Sequence, residues 1–236
     1  MKIPILIIAL LLNSVLATAQ KDSTATTGFV DLNAYNDTRH FGVYTINLMA
    51  NIHNRVQYFS FVNFQGAANS TDLGTFFTEQ NIRIALKKKS PIDLTLQYVI
   101  RNNIGNDDLK LGLRFKLSQT KPLVNFFKKL NMFYSINPMF VQFQEKMPSK
   151  YMTQIEHVYS INILPQLFNK RVYISGFADQ NFVYDSNNNL KFKWITEHQL
   201  GIKVIDNFYV VAEWRLNNYV ANQRGLGYGI EYKIIY

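Results

Sequence analysis

Charged side chains recur at every second position in several stretches of this chain, with apolar residues between them. In one stretch Glu213 and Arg215 alternate with Ala212, Trp214 and Leu216. A period of two places the charged side chains of a β-strand on one face and the apolar ones on the other. Acids and bases that line a water-filled path select solutes by charge. The candidate selectivity residues are Glu79, Arg83, Arg101, Arg114, Asp179, Glu197, Glu213, Arg215 and Glu231.

Further residues on the same phase extend this candidate site. Lys116, Lys203 and Lys233 follow the alternation, and Glu156 joins them with a less regular pattern. The aromatic residues predicted to offer stacking faces to a base or sugar are Tyr173, Phe177 and Tyr209. Two alternatives stay open: the charges form a salt-bridged plug that rigidifies the fold, and the aromatic rings serve as girdle or packing residues.

Catalytic or metal chemistry has less support in the sequence. The chain has no cysteine, which excludes disulfides, thiolate metal sites and cysteine nucleophiles. His157 is adjacent to Glu156, but neighbouring strand residues point in opposite directions and do not form a facing pair. We therefore predict no catalytic residue, no metal site and no cofactor, although a dyad assembled from distant strands stays open. The remaining histidines, His40, His53 and His198, are spread over the chain without a motif.

The element that best shows how these residues are positioned is the end of the chain, residues 224–236. Its alternation predicts a strand with a wholly apolar or aromatic face that ends on a terminal aromatic residue. Such a strand is typical of the closing strand of a bacterial outer-membrane barrel, where the aromatic end is an assembly signal. The apolar face comprises Leu226, Tyr228, Ile230, Tyr232, Ile234 and Tyr236.

The rest of the chain divides into further segments of strand length, giving twelve in all. Most are longer than the about 5 to 6 residues of a globular strand and match the about 9 to 11 that a tilted strand needs to cross a bilayer. The fold class is therefore all-β, a twelve-stranded antiparallel transmembrane outer-membrane β-barrel. The predicted strands are 28–36, 40–51, 55–65, 75–88, 92–102, 108–119, 131–144, 152–164, 171–185, 191–205, 207–218 and 224–236. The alternation leaves the faces of the first three strands and the eighth unassigned.

The connections supply an orientation. The pairs His53-Asn54, Ser90-Pro91 and Asp206-Asn207 are predicted tight turns, and an even strand count places them with both termini on the periplasmic side. The longer polar loops, 66–74, 103–107, 145–151, 186–190 and 219–223, are then extracellular. Residues 121–130 combine apolar and basic side chains and predict a short periplasmic amphipathic helix, with an irregular loop carrying apolar anchors as the alternative.

The N-terminus has the pattern of a secretory signal peptide. Lys2 precedes the apolar run 3–12, and Ala17-Thr18-Ala19 gives a small-x-small cleavage pattern. The predicted organisation is a signal peptide over 1–19, a short flexible segment over 20–27 and a transmembrane barrel over 28–236. The expected location is the outer membrane of a Gram-negative bacterium.

The second half of the chain resembles the Tsx-like nucleoside-specific channel-forming family. The resemblance rests on GFADQNFVYD at 176–185, KFKWITEHQLGIKV at 191–204, NFYVVAEWRLNNY at 207–219 and the closing strand. It implies a twelve-stranded outer-membrane barrel that passes nucleosides through a narrow, aromatic-lined pore. No nucleoside-contacting residue of the family is carried over to this chain.

The formal net charge of +9 does not predict a nucleic-acid partner, because the basic clusters 87–89 and 128–129 fall at the predicted periplasmic end and nothing pairs them with an exposed binding platform. The expected partners are outer-membrane lipids, the barrel-assembly machinery through the C-terminal aromatic strand, and small polar solutes. The sequence predicts a channel for passive diffusion of such solutes, with nucleosides as one candidate class. The alternatives are a non-conducting scaffolding barrel and, with less support, a membrane-embedded hydrolase or acyltransferase.

Overall fold

A computed structural model describes residues 26–66, 74–102, 107–144, 151–185 and 187–236 of the chain. They form a closed barrel of twelve antiparallel strands, as predicted. The predicted signal peptide, and residues 20–25 of the predicted flexible segment, lie outside the described residues. The strands are β1 Thr27–Asp37, β2 Phe41–His53, β3 Val56–Gln65, β4 Thr75–Ala85, β5 Ile92–Arg101, β6 Asp108–Phe115, β7 Met132–Gln144, β8 Tyr151–Asn162, β9 Val172–Tyr184, β10 Leu190–Ile205, β11 Phe208–Asn217 and β12 Arg224–Ile235.

The barrel is closed by the first and last strands. β1 pairs with β12 from Phe29 opposite Ile235 to Asp37 opposite Gly227. Beyond the last ladder pair, the Gly28 N–H donates to the Tyr236 carbonyl at 2.8 Å, and the Tyr236 N–H donates to the Gly28 carbonyl at 3.1 Å. Among the described residues, every strand therefore has a neighbouring strand on both sides.

The two faces of the barrel have opposite chemistry. Outward side chains such as Val210 and Tyr228 are about half exposed, whereas the inward Asp93 and Glu231 are almost inaccessible to water. The alternation predicted in β4, β5, β6, β11 and β12 is the one observed. Water-soluble folds hide apolar side chains and expose charges, so this barrel is inverted relative to them.

The faces that the alternation left unassigned are settled by strand register. In β3, Phe59 and Phe61 stand opposite Asn81 and Glu79 of β4 and point inward. The polar Ser60 points outward, where its hydroxyl accepts a hydrogen bond from the Gln80 side chain at 2.9 Å. Strand β3 thus has apolar residues on its inward face and a polar residue on its outward face, the reverse of a strand such as β5. Its hydrophobic alternation therefore did not indicate which face points inward.

The two ends of the barrel are distinguished by the chain termini. We call the end where β1 begins and β12 ends the terminal end, and the opposite one the loop end. Asp206-Asn207 is a two-residue turn at the terminal end, with Asn207 at a φ of 65°. The predicted tight turn at Ser90-Pro91 is wrong, because β4 ends at Ala85 and leaves 86–91 as the connection. Parts of the predicted long loops, 67–73, 103–106 and 145–150, lie outside the described residues.

Strand β6 is shorter than predicted, which moves Leu117 and Gln119 out of the sheet. Its last ladder partner is Ile92, the first residue of β5, and one further backbone hydrogen bond, from the Lys116 N–H to the Pro91 carbonyl at 2.7 Å, ends the pairing on that side. The chain instead forms a 3-10 turn at Leu117–Gln119, with the Gln119 N–H donating to the Lys116 carbonyl at 2.9 Å.

A short helix, α1 Val124–Lys129, follows this turn at the terminal end. It confirms the predicted helix within 121–130, and the irregular-loop alternative is wrong. Phe127 is buried against Tyr134 of β7, with ring centroids 5.9 Å apart, whereas Phe126 remains exposed. Within the described parts of the chain, no helix has the length and apolar character required to cross a membrane.

Candidate functional site: the interior of the barrel

Hydrogen bonds between strands that are not neighbours show which side chains share the interior. The Tyr35 hydroxyl of β1 donates to Gln199 of β10 at 2.8 Å, and Arg114 of β6 donates to Gln57 of β3 at 2.7 Å. Such contacts cross the inside of the barrel. Every predicted selectivity residue and all three predicted stacking residues lie on the inward phase of their strands.

A basic cluster occupies the interior near the terminal end. The Asp93 carboxylate accepts hydrogen bonds from the Arg114 guanidinium and from Lys116 Nζ, the latter at 2.9 Å. Arg83 lies close enough to Arg114 to repel it electrostatically. Two basic groups therefore pair with the Asp93 carboxylate, while Arg83 also interacts with Glu79 and Arg114 with Glu156.

A tyrosine network lies on the opposite wall. The Tyr173 hydroxyl donates to the Glu231 carboxylate and accepts a hydrogen bond from Gln199 Nε2 at 2.5 Å. Tyr209 packs edge-on against Tyr173 with centroids 5.6 Å apart, and Lys233 Nζ lies 2.5 Å from Glu231. Tyr173 is thus buried in the wall, whereas Tyr209 and Phe177 are each partly accessible to water.

Nearer the loop end, acids and bases are closely balanced. Arg215 forms an ion pair with Glu213, and its guanidinium lies 5.0 Å from the Tyr35 ring centroid. Glu197 interacts electrostatically with both Glu213 and Arg215. A second ion pair joins Arg39 to Asp37 at 2.7 Å. This level of the interior is held by paired charges.

The centre of the interior holds a group that we call the central carboxylate cluster: Glu79, Glu156, Asp179 and Lys110. Its members come from β4, β8, β9 and β6 and interact electrostatically with one another. Arg83 also interacts with Glu79, and Arg114 interacts with Glu156. Lys110 Nζ donates to Gln154, and Asn137 donates to Glu156. Lys110, Gln154 and Asn137 were absent from the predicted site. The inward phase of Lys110 was visible in the sequence, but its cross-barrel partner was not.

Access to water differs between the walls of the interior. Asn81, Thr95, Gln97, Asn137 and Met139 have no accessible surface, so side chains fill the wall that β4, β5 and β7 form. The partly accessible inward residues at mid-height include the carboxylates Glu79, Asp179 and Glu197, the aromatic Phe59, Phe61 and Phe177, and the polar Ser175 and Gln199. The described water-accessible part of the interior is therefore bordered by carboxylates, aromatic rings and neutral polar groups.

Two carboxylates in exposed turns have a lowered pKa. Asp185 accepts hydrogen bonds from the backbone N–H groups of Asn189 and Asn187, which stabilise the ionised carboxylate and lower its pKa. Asp206 pairs with Lys203 Nζ at 2.9 Å, and this hydrogen bond lowers the pKa of its carboxyl group. Both rims of the barrel therefore carry fixed negative charge at neutral pH.

Two of the strand histidines, His157 and His198, face outward. His157 Nδ1 lies 2.8 Å from the Tyr134 hydroxyl, and His198 Nδ1 lies 2.7 Å from the Tyr159 hydroxyl. His198 also stacks on Trp214 with ring centroids 5.4 Å apart. These contacts make both histidines part of an outer aromatic belt. In the described residues, no group of three or more His, Asp and Glu side chains is arranged to hold a metal ion.

Comparison with solved structures supports the same fold. The KdgM porin matches with a TM-score of 0.51 and 12% identity, over 86% of this chain and 98% of the porin. The KdgM porin in complex with disordered oligogalacturonate gives the same values. A mutant of the Rh. blastica porin matches with a TM-score of 0.34 and 6% identity, over 89% of this chain and 99% of that porin. No protein-family model and no curated protein sequence matches the chain. At these identities the likeness shows the barrel fold alone.

Proposed function

We propose that the chain is an outer-membrane channel for passive diffusion of small polar solutes. The observation that carries this proposal is the inverted distribution of side chains, with apolar and aromatic residues outside and charged residues inside. A charge on a lipid-facing position costs about 2 to 4 kcal/mol near the bilayer midplane for a basic residue. The exterior of this barrel therefore suits hydrocarbon, and its interior suits water and polar solutes.

The location follows from the same reasoning. A closed barrel with an apolar belt belongs in the outer membrane of a Gram-negative bacterium, and the predicted signal peptide would deliver it across the inner membrane. The terminal end is then periplasmic, and the aromatic C-terminal strand engages the barrel-assembly machinery. Exposed Phe126 of α1 would contact the lipid interface on that side.

Nucleosides are one candidate class of solute, supported by the resemblance of the second half to Tsx-like channels. Phe177 offers a partly accessible aromatic face, and the nearby carboxylates accept hydrogen bonds from a sugar or base. At 12% identity, the oligogalacturonate that the KdgM porin binds is not extended to this chain.

A second candidate function is a non-conducting scaffold. The fully buried Asn81, Gln97, Asn137 and Met139 show that part of the interior is filled by side chains. An enzyme has less support, because His157 and His198 are engaged with tyrosines on the outer face.

Conductance of the refolded barrel in planar bilayers separates the two candidates. We expect discrete conductance steps that adenosine or thymidine reduces at micromolar to millimolar concentration. Steps without any effect of nucleoside would retain the channel and remove the nucleoside proposal. A correctly folded barrel, shown by β-type circular dichroism and heat-modifiable migration, that gives no steps would establish the scaffold instead.

A further inference from the structure

Strand β3 turns phenylalanine rings toward the interior and a polar group toward the membrane. Phe59 and Phe61 face inward, and Ser60 faces outward. On the outer face the Gln80 side chain donates to the hydroxyl groups of Ser60, at 2.9 Å, and Thr78, at 2.6 Å. Both choices cost stability, because an apolar ring gains from leaving water and a polar group loses from entering hydrocarbon. A strand that breaks the common pattern on both faces indicates residues chosen for function.

The inward rings form a row along the wall, which we call the ring ladder: Phe59, Phe61 and Phe77. Phe59 and Phe61 lie two residues apart on one face of β3, and Phe77 of β4 packs edge-on against Phe61 with ring centroids 5.8 Å apart. Phe59 lies nearer the terminal end and Phe77 nearer the loop end. All three residues are partly accessible to water. The ring ladder therefore gives the accessible interior an apolar track along the height of the barrel.

A guanidinium group lies over each end of the ring ladder. The Arg83 guanidinium is 5.3 Å from the ring centroid of Phe59, and the Arg101 guanidinium is 5.3 Å from that of Phe77. Cation–π contacts of this kind hold a ring in place and occupy one of its faces. Phe61 lies between the two end rings, so it is the member of the ladder best placed to receive a solute.

Hydrogen-bonding side chains border the central ring. Asn47 of β2 and Glu79 of β4 stand directly opposite Phe61 on the two neighbouring strands. Both are partly accessible to water. An amide side chain offers donors and an acceptor, and a carboxylate offers acceptors. The wall at this level is therefore a flat apolar surface with polar groups on both sides of it.

The charges beside the ring ladder have partners of opposite sign. Arg101 forms an ion pair with Asp108 at 3.0 Å, and Arg83 interacts electrostatically with Glu79. A solute on the ladder therefore needs no net charge. It needs a flat apolar face with hydrogen-bonding groups around its rim, and a pyranose ring has both. A row of rings, rather than a single one, suits a solute built from several such units.

We propose that the ring ladder binds neutral oligosaccharides, with one pyranose face on Phe61 and its hydroxyl groups on Asn47 and Glu79. Phe177 faces the same lumen from the opposite wall, because β9 lies six strands from β3 in either direction around the barrel. The ladder guides such a solute from ring to ring along the height of the lumen. This proposal rests on the channel function given above and names a class of solute for it.

The test uses the refolded full barrel in planar bilayers with maltotriose as the probe. We expect maltotriose to reduce the conductance in a saturable manner. Sorbitol, an open-chain polyol without a pyranose face, should leave it unchanged at a matched hydroxyl concentration. Phe61→Leu keeps apolar volume but removes the flat ring, and it should weaken the maltotriose effect about tenfold, equivalent to about 1.4 kcal/mol. Phe61→Tyr keeps the ring and should retain the effect.

Phe64→Leu is the matched control, because Phe64 lies on the outward face of the same strand, where its ring centroid is 6.3 Å from that of Phe76. It should leave the maltotriose effect unchanged. An equal loss in Phe61→Leu and Phe64→Leu would overturn the role of the ring ladder. A reduction of conductance by adenosine that Phe61→Leu removes, without any effect of maltotriose, would overturn the saccharide class.

Calorimetric titration with maltotriose keeps the inference independent of conductance. The barrel is held in a zwitterionic detergent, since the maltose headgroups of alkyl maltosides would compete with the probe. Heat of binding that Phe61→Leu weakens, in a barrel without conductance steps, supports the ring ladder and overturns the channel. Conductance without a maltotriose effect or heat of binding overturns the saccharide proposal and retains the channel. Absence of both conductance and binding overturns both proposals.

Discussion

Gly201 of β10 sits under the ring of Tyr173, the residue opposite it on β9. A Cβ atom at position 201 would overlap the edge of that ring and its hydroxyl. The ring has little freedom to move, because its hydroxyl is bonded to Glu231 and Gln199. The missing side chain at Gly201 therefore allows the tyrosine network to form.

We expect Gly201→Ala to lower the free energy of unfolding by about 1 to 3 kcal/mol, the usual cost of overpacking a filled site. Urea unfolding of the barrel in lipid vesicles, followed by tryptophan fluorescence, measures the change. Gly42→Ala is the matched control, because the nearest atom to its new Cβ lies 3.9 Å away. That variant should be neutral or slightly stabilising, since alanine reduces the freedom of the unfolded chain. Equal destabilisation by both variants would contradict the role of the Tyr173 ring.

At the residue scale, sequence reasoning predicted the inward face but not the contacts on it. The period of two placed Glu213 and Arg215 inside because alternation depends only on strand geometry. The link from Lys110 to Gln154 was not predictable, because it joins strands separated by a third. That contact depends on how far side chains reach into the lumen, which spacing along the chain does not encode.

At the scale of the element, helix α1 determines which of its side chains face the barrel and which face away from it. Phe127 faces the barrel and is buried, whereas Phe126 is exposed on the same apolar side of the helix. Asn125 lies on the opposite side by helical periodicity. The helix thus lies with one apolar flank available to an interface and a polar flank turned away from it.

This arrangement predicts that Phe126→Trp contacts lipid and Asn125→Trp does not. In a background with Trp194→Phe and Trp214→Phe, brominated lipids should quench the fluorescence of Trp at position 126 and leave that at position 125 nearly unchanged. The physical reason is that a ring at 126 extends the apolar flank into the interface. Equal quenching at the two positions would show that the helix does not lie on the membrane surface.

The sequence located elements better than it located their ends. The predicted helix was observed because its apolar and basic residues separate at a period of 3.6. The predicted continuation of β6 to Gln119 was wrong, because the chain turns into the 3-10 helix Leu117–Gln119 just beyond its last pairing with β5. In β3 the alternation was unclear because Phe61 faces inward and Ser60 outward, a choice that the register with β4 decides.

At the scale of the whole molecule, the pairing of β1 with β12, which we call the seam, closes the sheet into a barrel. Leu32 stands opposite Tyr232 across this seam, and both side chains point outward. Opposed residues on antiparallel strands have Cα atoms about 4.5 to 5.5 Å apart, within the range that a disulfide bridges. The chain contains no cysteine of its own, so an introduced pair has no competitor.

We therefore expect the pair Leu32→Cys and Tyr232→Cys to form a disulfide in the folded barrel, seen as a shifted band on a non-reducing gel. The control pair, Leu32→Cys with Phe208→Cys, places the second cysteine one strand further, because Phe208 stands opposite Tyr232. Two strand spacings amount to about 9 to 10 Å, which a disulfide does not span. Cross-linking of the control pair, or of neither pair, would show that the seam differs from the one described.

The same cross-link measures what closure contributes to stability. The cross-link joins a residue near the start of the barrel sequence to one near its end, so it constrains almost the entire unfolded chain. A disulfide that closes a long loop removes the most conformational freedom from the unfolded state. We expect the oxidised Leu32→Cys/Tyr232→Cys barrel to unfold at a higher urea concentration than its reduced form. The physical reason is that the cross-link removes conformational freedom from the unfolded chain. An oxidised protein that loses β-structure at the same urea concentration as the reduced one would contradict this stabilisation.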